Sequence, residues 1–204
     1  MKDLERALAR SGGVAVKQRA GRAAAGMATR AHDAGLLDVG YGYAETPFGR
    51  MLVAVTPRGL VRVAFQPEAP DDVLEELTER LSPRVLEAPI AVDAVRRELD
   101  EYFDGKRRVF ELPLDWSLTT GFRRKVLRAT ARIPYGGVSS YREMAEQAGN
   151  GRASRAAGSA LATNPIPIVV PCHRVLRTGG NLGGYGGGLA MKEALLKMEG
   201  VRLA

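Results

Sequence analysis

The stretch Asn164–Val175 restricts the backbone more than any other part of the 204-residue chain, because prolines stand at positions 165, 167 and 171. Between the second and third prolines, the apolar run Ile168–Val170 predicts a buried strand. Directly after the third proline come Cys172, the only cysteine in the chain, and His173, one of its two histidines. The sequence therefore concentrates its rarest reactive side chains at the end of a stiff segment.

A lone cysteine allows two interpretations. Free cysteine is among the most buried residue types and is usually inert, which would make Cys172 an ordinary core residue. The alternative is a nucleophile, because a thiol reacts as thiolate and a nearby base or cation raises the thiolate fraction. On an extended segment Cys172 and His173 point to opposite sides, so a turn or a water would have to connect them. This does not suit a cysteine protease, whose Cys and His come from distant parts of the sequence, but it leaves open a thiol that is activated only once.

The charge of the chain is unevenly distributed. Residues 115–204, which include Cys172, carry 13 Lys and Arg against 5 Asp and Glu, whereas residues 39–114 carry 10 against 14. We interpret the chain as a basic, partly disordered extension over 1–38, a supporting α/β domain over 39–114, and a basic domain over 115–204. Basic surface favours a polyanionic partner such as nucleic acid, although many basic surfaces bind nothing in particular.

The cysteine count and the hydropathy pattern limit the kinds of site and the cellular compartment that we expect for this chain. One cysteine excludes an internal disulfide and a zinc site built on several cysteines, and it favours a reducing, cytoplasmic compartment. No apolar run approaches membrane-spanning length, and the basic N-terminus lacks the apolar core of a secretory signal. Within the extension we expect disorder over 1–26, a short helix over Ala28–Leu37 and a surface position for His32, which has no companion ligand.

The supporting domain is predicted to contain a hairpin and two helices. Strands over Met51–Val55 and Leu60–Phe65 flank a turn with Pro at its second and Gly at its fourth position. Tyr41–Thr46 adds a third strand. Helical periodicity predicts amphipathic helices over Asp71–Leu81 and Ile90–Phe103. This part of the chain contains no catalytic constellation, so we expect it to give structural support.

The basic domain is predicted to contain a helix-turn-helix. A helix capped by Thr120 is expected to run to Pro134. Ser140 and Glu143 fit the capping-box pattern and predict a helix to about Ala148, and a second helix is expected over Arg152–Ala162 after a glycine-bearing turn. An ordinary helical hairpin is the alternative, and the basic charge favours DNA. Leu189–Met198 predicts a closing helix.

Two further features lie on either side of the cysteine. The second predicted helix is lined with small residues that allow close approach to another surface, and Arg155 is its long cation. After the cysteine, the glycine-rich loop 178–188 frees the backbone to approach a ligand. It does not match the P-loop or a dinucleotide fingerprint. Tyr185 at its centre suits stacking on a base or hydrogen bonding to it, which argues against a mere linker.

The run Pro171-Cys172-His173-Arg174-Val175 resembles the acceptor-cysteine motif of the O6-alkylguanine-DNA alkyltransferases, also called methylated-DNA–protein-cysteine methyltransferases. The resemblance extends from about Ile133 to Gly200 and is weaker from Tyr43 to Trp116. It implies an α+β fold, in which a small N-terminal antiparallel sheet with helices (ribonuclease-H-like) precedes a mostly helical, winged-helix-like domain with a helix-turn-helix.

The resemblance also implies roles for single residues. Cys172 is the alkyl acceptor, His173 takes its proton through a water, Glu199 orients His173, and Asn164 holds the active-site turn. Tyr185, the Gly186 backbone and Arg174 form the base pocket.

On the DNA side, the resemblance implies that Tyr141 pushes on the phosphate backbone and that Arg155 fills the gap left by an extruded base. The remaining residues implied to contact DNA are Ser140, Ala153, Ala156 and Gly158.

The implied activity is DNA repair by direct reversal, with irreversible, single-turnover transfer from O6-alkylguanine, and from O4-alkylthymine, in duplex DNA to Cys172. No metal, small cofactor or obligate protein partner is implied, and the expected protein is a monomer that does not bind membranes; cooperative assembly on DNA stays open. Gly137 stands where relatives commonly carry a charged residue, and Arg142 adds a charge beside Tyr141. The resemblance therefore leaves the strand and lesion preference open but not the reaction. Two alternatives remain: a non-catalytic protein of the same fold that binds alkylated bases, and a helix-turn-helix regulator with a structural cysteine.

Overall fold

The computed structural model describes residues 37–66 and 68–202, together with Gly26, Arg30 and Gly35. The expectations for the extension, namely disorder over 1–26, a helix over 28–37 and the position of His32, lie almost wholly outside the described residues. In the described part of the chain, no helix combines the length and the apolar character that crossing a bilayer requires.

The strands, in chain order, are β1 (Val39–Ala44), β2 (Met51–Thr56), β3 (Gly59–Ala64), β4 (Val85–Glu87), β5 (Ser139–Ser140) and β6 (Val175–Leu176). The α-helices are α1 (Pro70–Arg80), α2 (Asp93–Phe103), α3 (Gly121–Thr130), α4 (Tyr141–Gln147), α5 (Ser154–Ala162) and α6 (Leu189–Met198). Short 3-10 helices over Pro89–Val92 and Cys172–Arg174 precede α2 and β6. The first turn of the helix predicted over Ile90–Phe103 is therefore 3-10 rather than α.

The first domain is built on a sheet with the strand order β3-β2-β1-β4. The predicted antiparallel arrangement is confirmed for β1, β2 and β3, and β4 adds to the edge in parallel with β1. The β2–β3 hairpin turns through Gly59, whose φ is 127°; a Cβ there would lie 2.1 Å from the Pro113 carbonyl oxygen. Only glycine satisfies both conditions, so the turn and the crossing of the chain beside it depend on this residue.

Both faces of the sheet are buried, because alternate residues of a strand point to opposite faces. Met51 and Val53 of β2 face a large core that continues into α2 and the second domain, while Leu52 and Ala54 face α1. Leu99 of α2 is completely buried in the large core, and burying such a side chain stabilises the fold by about 1.5–3 kcal/mol. The shared core positions the two domains against each other.

The connection between the domains covers the outer edge of β3. The Leu60 amide donates to the Pro113 carbonyl at 2.8 Å, and the Asp115 amide donates to the Leu60 carbonyl at 2.9 Å. An open edge of this kind would otherwise expose unpaired backbone groups to another chain. The connecting segment therefore completes the sheet as well as linking the domains.

The second domain contains the predicted helix-turn-helix, formed by α4 and α5. The capping box at Ser140 is confirmed: its side chain accepts from the Glu143 amide, and the Glu143 carboxylate accepts from the Ser140 amide. Gly149, with φ at 91°, allows the turn before α5. Strands β5 and β6 pair in parallel and tie the start of α4 to the segment that follows Cys172.

The prediction for α3 was wrong in two details. Thr120 occupies the N-cap position, but its side chain makes no capping hydrogen bond, and the helix ends at Thr130 rather than at Pro134. The Arg124 side chain instead donates to the Thr119 carbonyl, with Nε at 2.8 Å. A long arginine thus holds the chain at the start of this helix.

Candidate active site

The segment before Cys172 is a tight loop and not the predicted strand over Ile168–Val170. Its prolines cannot donate to a strand ladder, and the Val170 amide folds back to the Ile166 carbonyl at 2.8 Å. Ile168 has φ at 73°, the only positive value for a non-glycine residue in the part of the chain that the structure describes. The loop is held in this sparsely populated conformation by its surroundings.

Asn164 supplies the hydrogen bonds that hold the loop. Its Oδ1 accepts from the Ile166 amide at 3.1 Å, and its Nδ2 donates to the Val170 carbonyl at 2.8 Å and to the Cys172 Sγ at 3.2 Å. One amide side chain therefore fixes both the turn and the sulfur at its end.

Cys172 opens a single 3-10 turn instead of lying on an extended segment, and only 8% of it is exposed. Burial raises the pKa of its thiol above the ordinary value, while the Asn164 hydrogen bond, the Lys192 charge and the backbone amides of Cys172 and His173 act in the opposite direction. The thiol is therefore protonated at neutral pH, and its reaction requires a base.

His173 is completely buried beside Glu199. Its Nε2 lies 3.0 Å from the Glu199 Oε1, and its Nδ1 has no hydrogen-bond partner among the described residues. Burial lowers the pKa of His173, although Glu199 acts against this shift. A neutral imidazole that donates from Nε2 to a carboxylate keeps a lone pair on Nδ1, which can accept a proton.

Glu199 is the centre of a buried polar cluster. Its carboxylate accepts from the Tyr102 hydroxyl at 2.6 Å and from Nε and Nη2 of Arg174, both at 2.8 Å. Burial by itself would raise the pKa of Glu199, but the hydrogen bonds from His173, Arg174 and Tyr102 outweigh it and lower this pKa to about 2. Glu199 is therefore an anion at every physiological pH.

The position of Arg174 differs from the expectation that it belongs to the base pocket. Besides its two bonds to Glu199, its Nη1 donates to the Ile133 carbonyl at 2.6 Å. It lines neither of the cavities that reach Cys172. All three of its guanidinium nitrogens donate, to Glu199 or to the Ile133 carbonyl, so the residue holds α6 against the end of α3 rather than facing a ligand.

A cavity of about 540 Å³ joins Cys172 to the helix-turn-helix, and we call it the helix-side cavity. The expected site residues among its walls are Tyr141, Arg155, Gly158, Cys172, Tyr185 and Gly186. The structure thus brings together residues from α4, α5 and the glycine-rich loop around one sulfur atom.

Tyr185 closes this cavity with a buried polar group. Its ring centroid lies 5.6 Å from that of Phe65 and 6.2 Å from that of His173. Its hydroxyl is buried without a hydrogen-bond partner among the described residues, and burial raises its pKa well above the ordinary value. An unsatisfied buried hydroxyl at a cavity is suited to a hydrogen bond with a ligand.

The residues expected to contact DNA fall into two groups. Tyr141 and Arg155 line the helix-side cavity with Gly158, where an added Cβ would lie 3.7 Å from the Tyr141 ring. The others stand outside this cavity, on the helix-turn-helix: Ser140 caps α4, Ala153 precedes α5, and Ala156 is exposed on α5. The first group faces Cys172, and the second belongs to the surrounding surface.

Lys192 is a site residue that the sequence interpretation missed. It is completely buried, and its ammonium donates to the carbonyls of Leu182 and Val175, the latter at 2.7 Å. Burial lowers its pKa to about 8, while the nearby Cys172 acts to raise it. The available signal was its position three residues before Leu195 and four before Leu196, which places a lysine on the buried face of α6.

These elements define the class of protein. It is a helix-turn-helix protein with a buried cysteine, and the histidine next to this cysteine is bonded to an ionised glutamate. Two family models match the chain. Residues 39–116 match the ribonuclease-like domain of 6-O-methylguanine DNA methyltransferase, and residues 121–201 match its DNA binding domain. The chain belongs to the 6-O-methylguanine DNA methyltransferase family.

Similar proteins are known from archaea and bacteria. The methylated-DNA–protein-cysteine methyltransferase of Methanosarcina acetivorans is 39% identical over 167 residues, covering 78% of this chain and 97% of the relative. The inducible one of Bacillus subtilis is 36% identical over 148 residues, covering 72% and 82%. The solved structure of Mycobacterium tuberculosis OGT in complex with DNA matches with a TM-score of 0.68 at 34% identity, covering 78% of this chain and 92% of that one.

Proposed function

We propose that this protein repairs alkylated DNA by direct reversal, moving the alkyl group of O6-alkylguanine in duplex DNA to Cys172. The observation that carries the proposal is the helix-side cavity, in which the sole cysteine shares walls with Tyr141, Arg155 and Gly158 of the helix-turn-helix. A base that leaves a bound duplex at these helices would arrive directly at the sulfur. The solved complex of a relative with DNA supports the choice of partner.

The transfer is a displacement at the alkyl carbon. His173 accepts the thiol proton on Nδ1 through a water, and the buried carboxylate of Glu199 stabilises the imidazolium that forms. The sulfur forms a bond to the alkyl carbon as the bond from that carbon to O6 breaks, and the proton lost by Cys172 ends on the departing guanine. The product is a thioether, which has no good leaving group, so each molecule acts once.

The glycine-rich loop and Tyr185 act on the base. The Tyr185 hydroxyl, which has no partner in the described part of the chain, donates to the guanine and stabilises the negative charge that develops on it. The Gly186 backbone forms the adjacent wall. Since guanine and thymine both carry acceptors beside the alkylated oxygen, O4-alkylthymine is the second substrate of the same site.

On DNA, Arg155 takes the place of the extruded nucleotide and Tyr141 presses on the phosphate backbone beside it. The remaining surface, with Ser140, Ala153 and Ala156, contacts the sugar-phosphate backbone. Small side chains on this side of α5 permit a close approach, and the +8 charge of residues 115–204 favours phosphate binding.

Mass measurement on the intact protein tests the proposal. After incubation with a duplex that contains one O6-methylguanine, we expect the protein mass to rise by one methyl group on Cys172 and to stop there. Cys172→Ser should bind the same duplex without gaining mass, because an alcohol is far less ionised than a thiol.

Three outcomes separate the alternatives. Binding to the lesion without transfer by the wild-type protein would indicate a non-catalytic lesion-binding protein. Equal binding to duplexes with and without the lesion, again without transfer, would indicate a helix-turn-helix regulator. Continued turnover with a fixed amount of protein would contradict the self-inactivating mechanism.

The role of Arg155 is tested by comparing duplex DNA with the free base O6-benzylguanine. Opening a base pair costs a few kcal/mol, and only the duplex substrate incurs that cost. Arg155→Ala should therefore slow transfer from the duplex much more than transfer from the free base. Arg152→Ala is the matched control, because Arg152 is also exposed but does not line the helix-side cavity. Equal losses on both substrates for Arg155→Ala would mean that Arg155 supports the fold.

A further inference from the structure

Tyr102 connects the first domain to the candidate active site. It lies on α2 with its side chain completely buried, and its hydroxyl donates to Oε1 of Glu199 at 2.6 Å. Its ring packs against those of Phe103, Phe110 and Tyr135, at centroid distances of 5.3, 5.2 and 6.2 Å. This aromatic packing fixes the ring, so the hydroxyl is held on the carboxylate at the centre of the buried polar cluster.

Oε1 of Glu199 is shared by three donors. The Tyr102 hydroxyl lies 2.6 Å from this oxygen, Nη2 of Arg174 lies 2.8 Å from it, and Nε2 of His173 lies 3.0 Å from it. His173 thus makes the longest of these three contacts. A hydrogen bond to a carboxylate stabilises its negative charge, so each donor weakens the attraction of the same oxygen for the others.

Tyr102 can only donate to this oxygen. Burial, and after it the charge of Glu199 and the hydrogen bond to it, raise the pKa of Tyr102 far above its ordinary value. The phenol is therefore protonated at every physiological pH, while Glu199 remains an anion. The bond between them is thus present throughout the physiological pH range, in which the charge of His173 matters for the reaction.

The charge of His173 decides whether it can act as the base. Only the neutral ring has a lone pair on Nδ1 that can accept the thiol proton. The titratable groups around this ring, in the described part of the chain, are Glu199, Arg174, Lys192 and the uncharged Cys172 and Tyr185. Glu199 favours the imidazolium, whereas burial and the charges of Arg174 and Lys192 favour the neutral ring. A stronger interaction with Glu199 would therefore hold His173 as a cation, which cannot act as a base.

We propose that Tyr102 is a positioning residue for the transfer: by donating to Glu199, it limits the attraction of this carboxylate for the imidazole and keeps His173 neutral and able to accept the proton of Cys172. The inference rests on the proposed function and extends it, because the first domain then sets the strength of the base that activates the thiol. Tyr102 lines neither of the cavities that reach the sulfur, so it acts through Glu199.

Tyr102→Phe is the first test, because it removes the hydroxyl and keeps the packed ring. The measured quantity is the pKa of His173, obtained by NMR titration of the full-length protein with ¹⁵N-labelled histidine rings. The chain has one other histidine, His32, whose signals are identified with His32→Gln. In Tyr102→Phe the pKa of His173 should rise by about 0.5–1 unit, a part of what a hydrogen bond to a charged group is worth.

Tyr135→Phe is the matched control. The Tyr135 hydroxyl donates to the Met198 carbonyl at 3.0 Å and not to the Glu199 carboxylate, and the Tyr135 ring packs against that of Tyr102. The control therefore removes a hydroxyl from the same region and should leave the pKa of His173 unchanged. An unchanged pKa in Tyr102→Phe, or an equal rise in Tyr135→Phe, overturns the proposal.

A second variant covers the case in which Tyr102→Phe does not fold. 3-Fluorotyrosine placed at position 102 keeps the hydroxyl, and the fluorine makes the phenol more acidic and a stronger donor. The pKa of His173 should then fall below that of the wild type, in the direction opposite to the effect of Tyr102→Phe. No fall, or a rise, contradicts the inference.

The rate of transfer gives a readout that damage to the fold would not imitate. Below the pKa of His173, a rise of about 0.5–1 unit makes transfer from O6-benzylguanine about three- to tenfold slower in Tyr102→Phe, and well above this pKa the rates of the variant and the wild type should converge. Slowing by the same factor at every pH would mean that the hydroxyl only supports the fold. Failure of the proposed function looks different, because then the wild type transfers no alkyl group to Cys172, while the titration of His173 can still be measured.

Discussion

Cys172 and Glu199 lie on either side of His173, and their surroundings shift the pKa values of the two groups in opposite directions. Both residues are almost inaccessible, with 8% and 5% exposed. Yet the pKa of Glu199 is lowered to about 2, whereas the pKa of Cys172 is raised. The difference lies in the donors: three side chains donate to Glu199, whereas Asn164 is the one side chain in the described part of the chain that donates to the sulfur. Burial acts to raise both pKa values, and hydrogen bonding decides whether that shift is reversed.

This contrast gives the two regions different tasks. Glu199 is a permanent anion that ties Tyr102 of α2, His173 and Arg174 into one cluster, and it joins the two domains. Cys172 stays a neutral thiol until its proton is taken. The first region should therefore determine stability, and the second should determine reactivity.

Removal of the anion should have the largest effect. Glu199→Ala leaves Arg174, Tyr102 and His173 buried without their shared acceptor, and we expect the free energy of unfolding to fall by about 3–5 kcal/mol in urea denaturation. Glu193→Ala is the matched control on the same helix, because the ion pair of Glu193 with Lys197 is largely solvated and should be worth less than about 1 kcal/mol. Similar losses for the two variants would mean that the buried Glu199 cluster contributes no more to stability than a solvated ion pair.

Acid should remove part of the same stability. A carboxyl group whose pKa falls from 4.5 to about 2 on folding stabilises the protein above pH 4.5, and this contribution is lost as the pH falls toward about 2. The shift corresponds to about 3 kcal/mol. Because Asp38, Asp115 and Glu143 also have lowered pKa values, the measurement is the difference between wild type and Glu199→Gln as a function of pH. A difference that does not change between neutral pH and pH 3 would mean that Glu199 is not held as an anion by folding.

The smallest effect is expected at the sulfur. Asn164→Ala removes the hydrogen bond to Cys172, so the pKa of the thiol rises further and transfer from O6-benzylguanine at neutral pH should slow roughly tenfold. The rising limb of the pH–rate profile should move to higher pH, with little change in stability beyond the loss of the loop contacts. Asn150→Ala, at an exposed position, should leave the profile unchanged. Slowing by the same factor at every pH would indicate a deformed loop rather than a shifted pKa.

Local patterns predicted the parts of the structure whose causes are themselves local. The Pro57–Gly59 turn, the Ser140 capping box and the helix-turn-helix each depend on residues within a few positions of one another. The acceptor motif likewise drew attention to Cys172 and His173. The prediction that failed depends on a residue outside the pattern. Ile168–Val170 has the apolar pattern of a strand, but hydrogen bonds with the Asn164 side chain hold this part of the chain as a loop.

Such local patterns could not predict contacts between distant parts of the chain. Tyr102 bonds to Glu199 across 97 positions, and the cavity that reaches Cys172 from the side of the first domain collects Arg62, Arg80 and Arg123 from three separate elements. Each of these residues reads as an ordinary amphipathic or charged residue of its own helix or strand. The packing of the first domain against the second makes Tyr102 a neighbour of Glu199, and Arg123 a neighbour of Arg62 and Arg80.

The burial of Cys172 also sets how long an unused molecule survives. Oxidation by peroxide proceeds through the thiolate and follows its accessibility, and the higher oxidation states of cysteine are not reversed. The protein has one cysteine and can accept one alkyl group. Any other reaction of that sulfur therefore ends its activity. A neutral and covered thiol reacts slowly with every electrophile that does not fill the cavity. The burial that makes transfer slow without a base therefore also protects the acceptor cysteine of molecules that have not yet reacted.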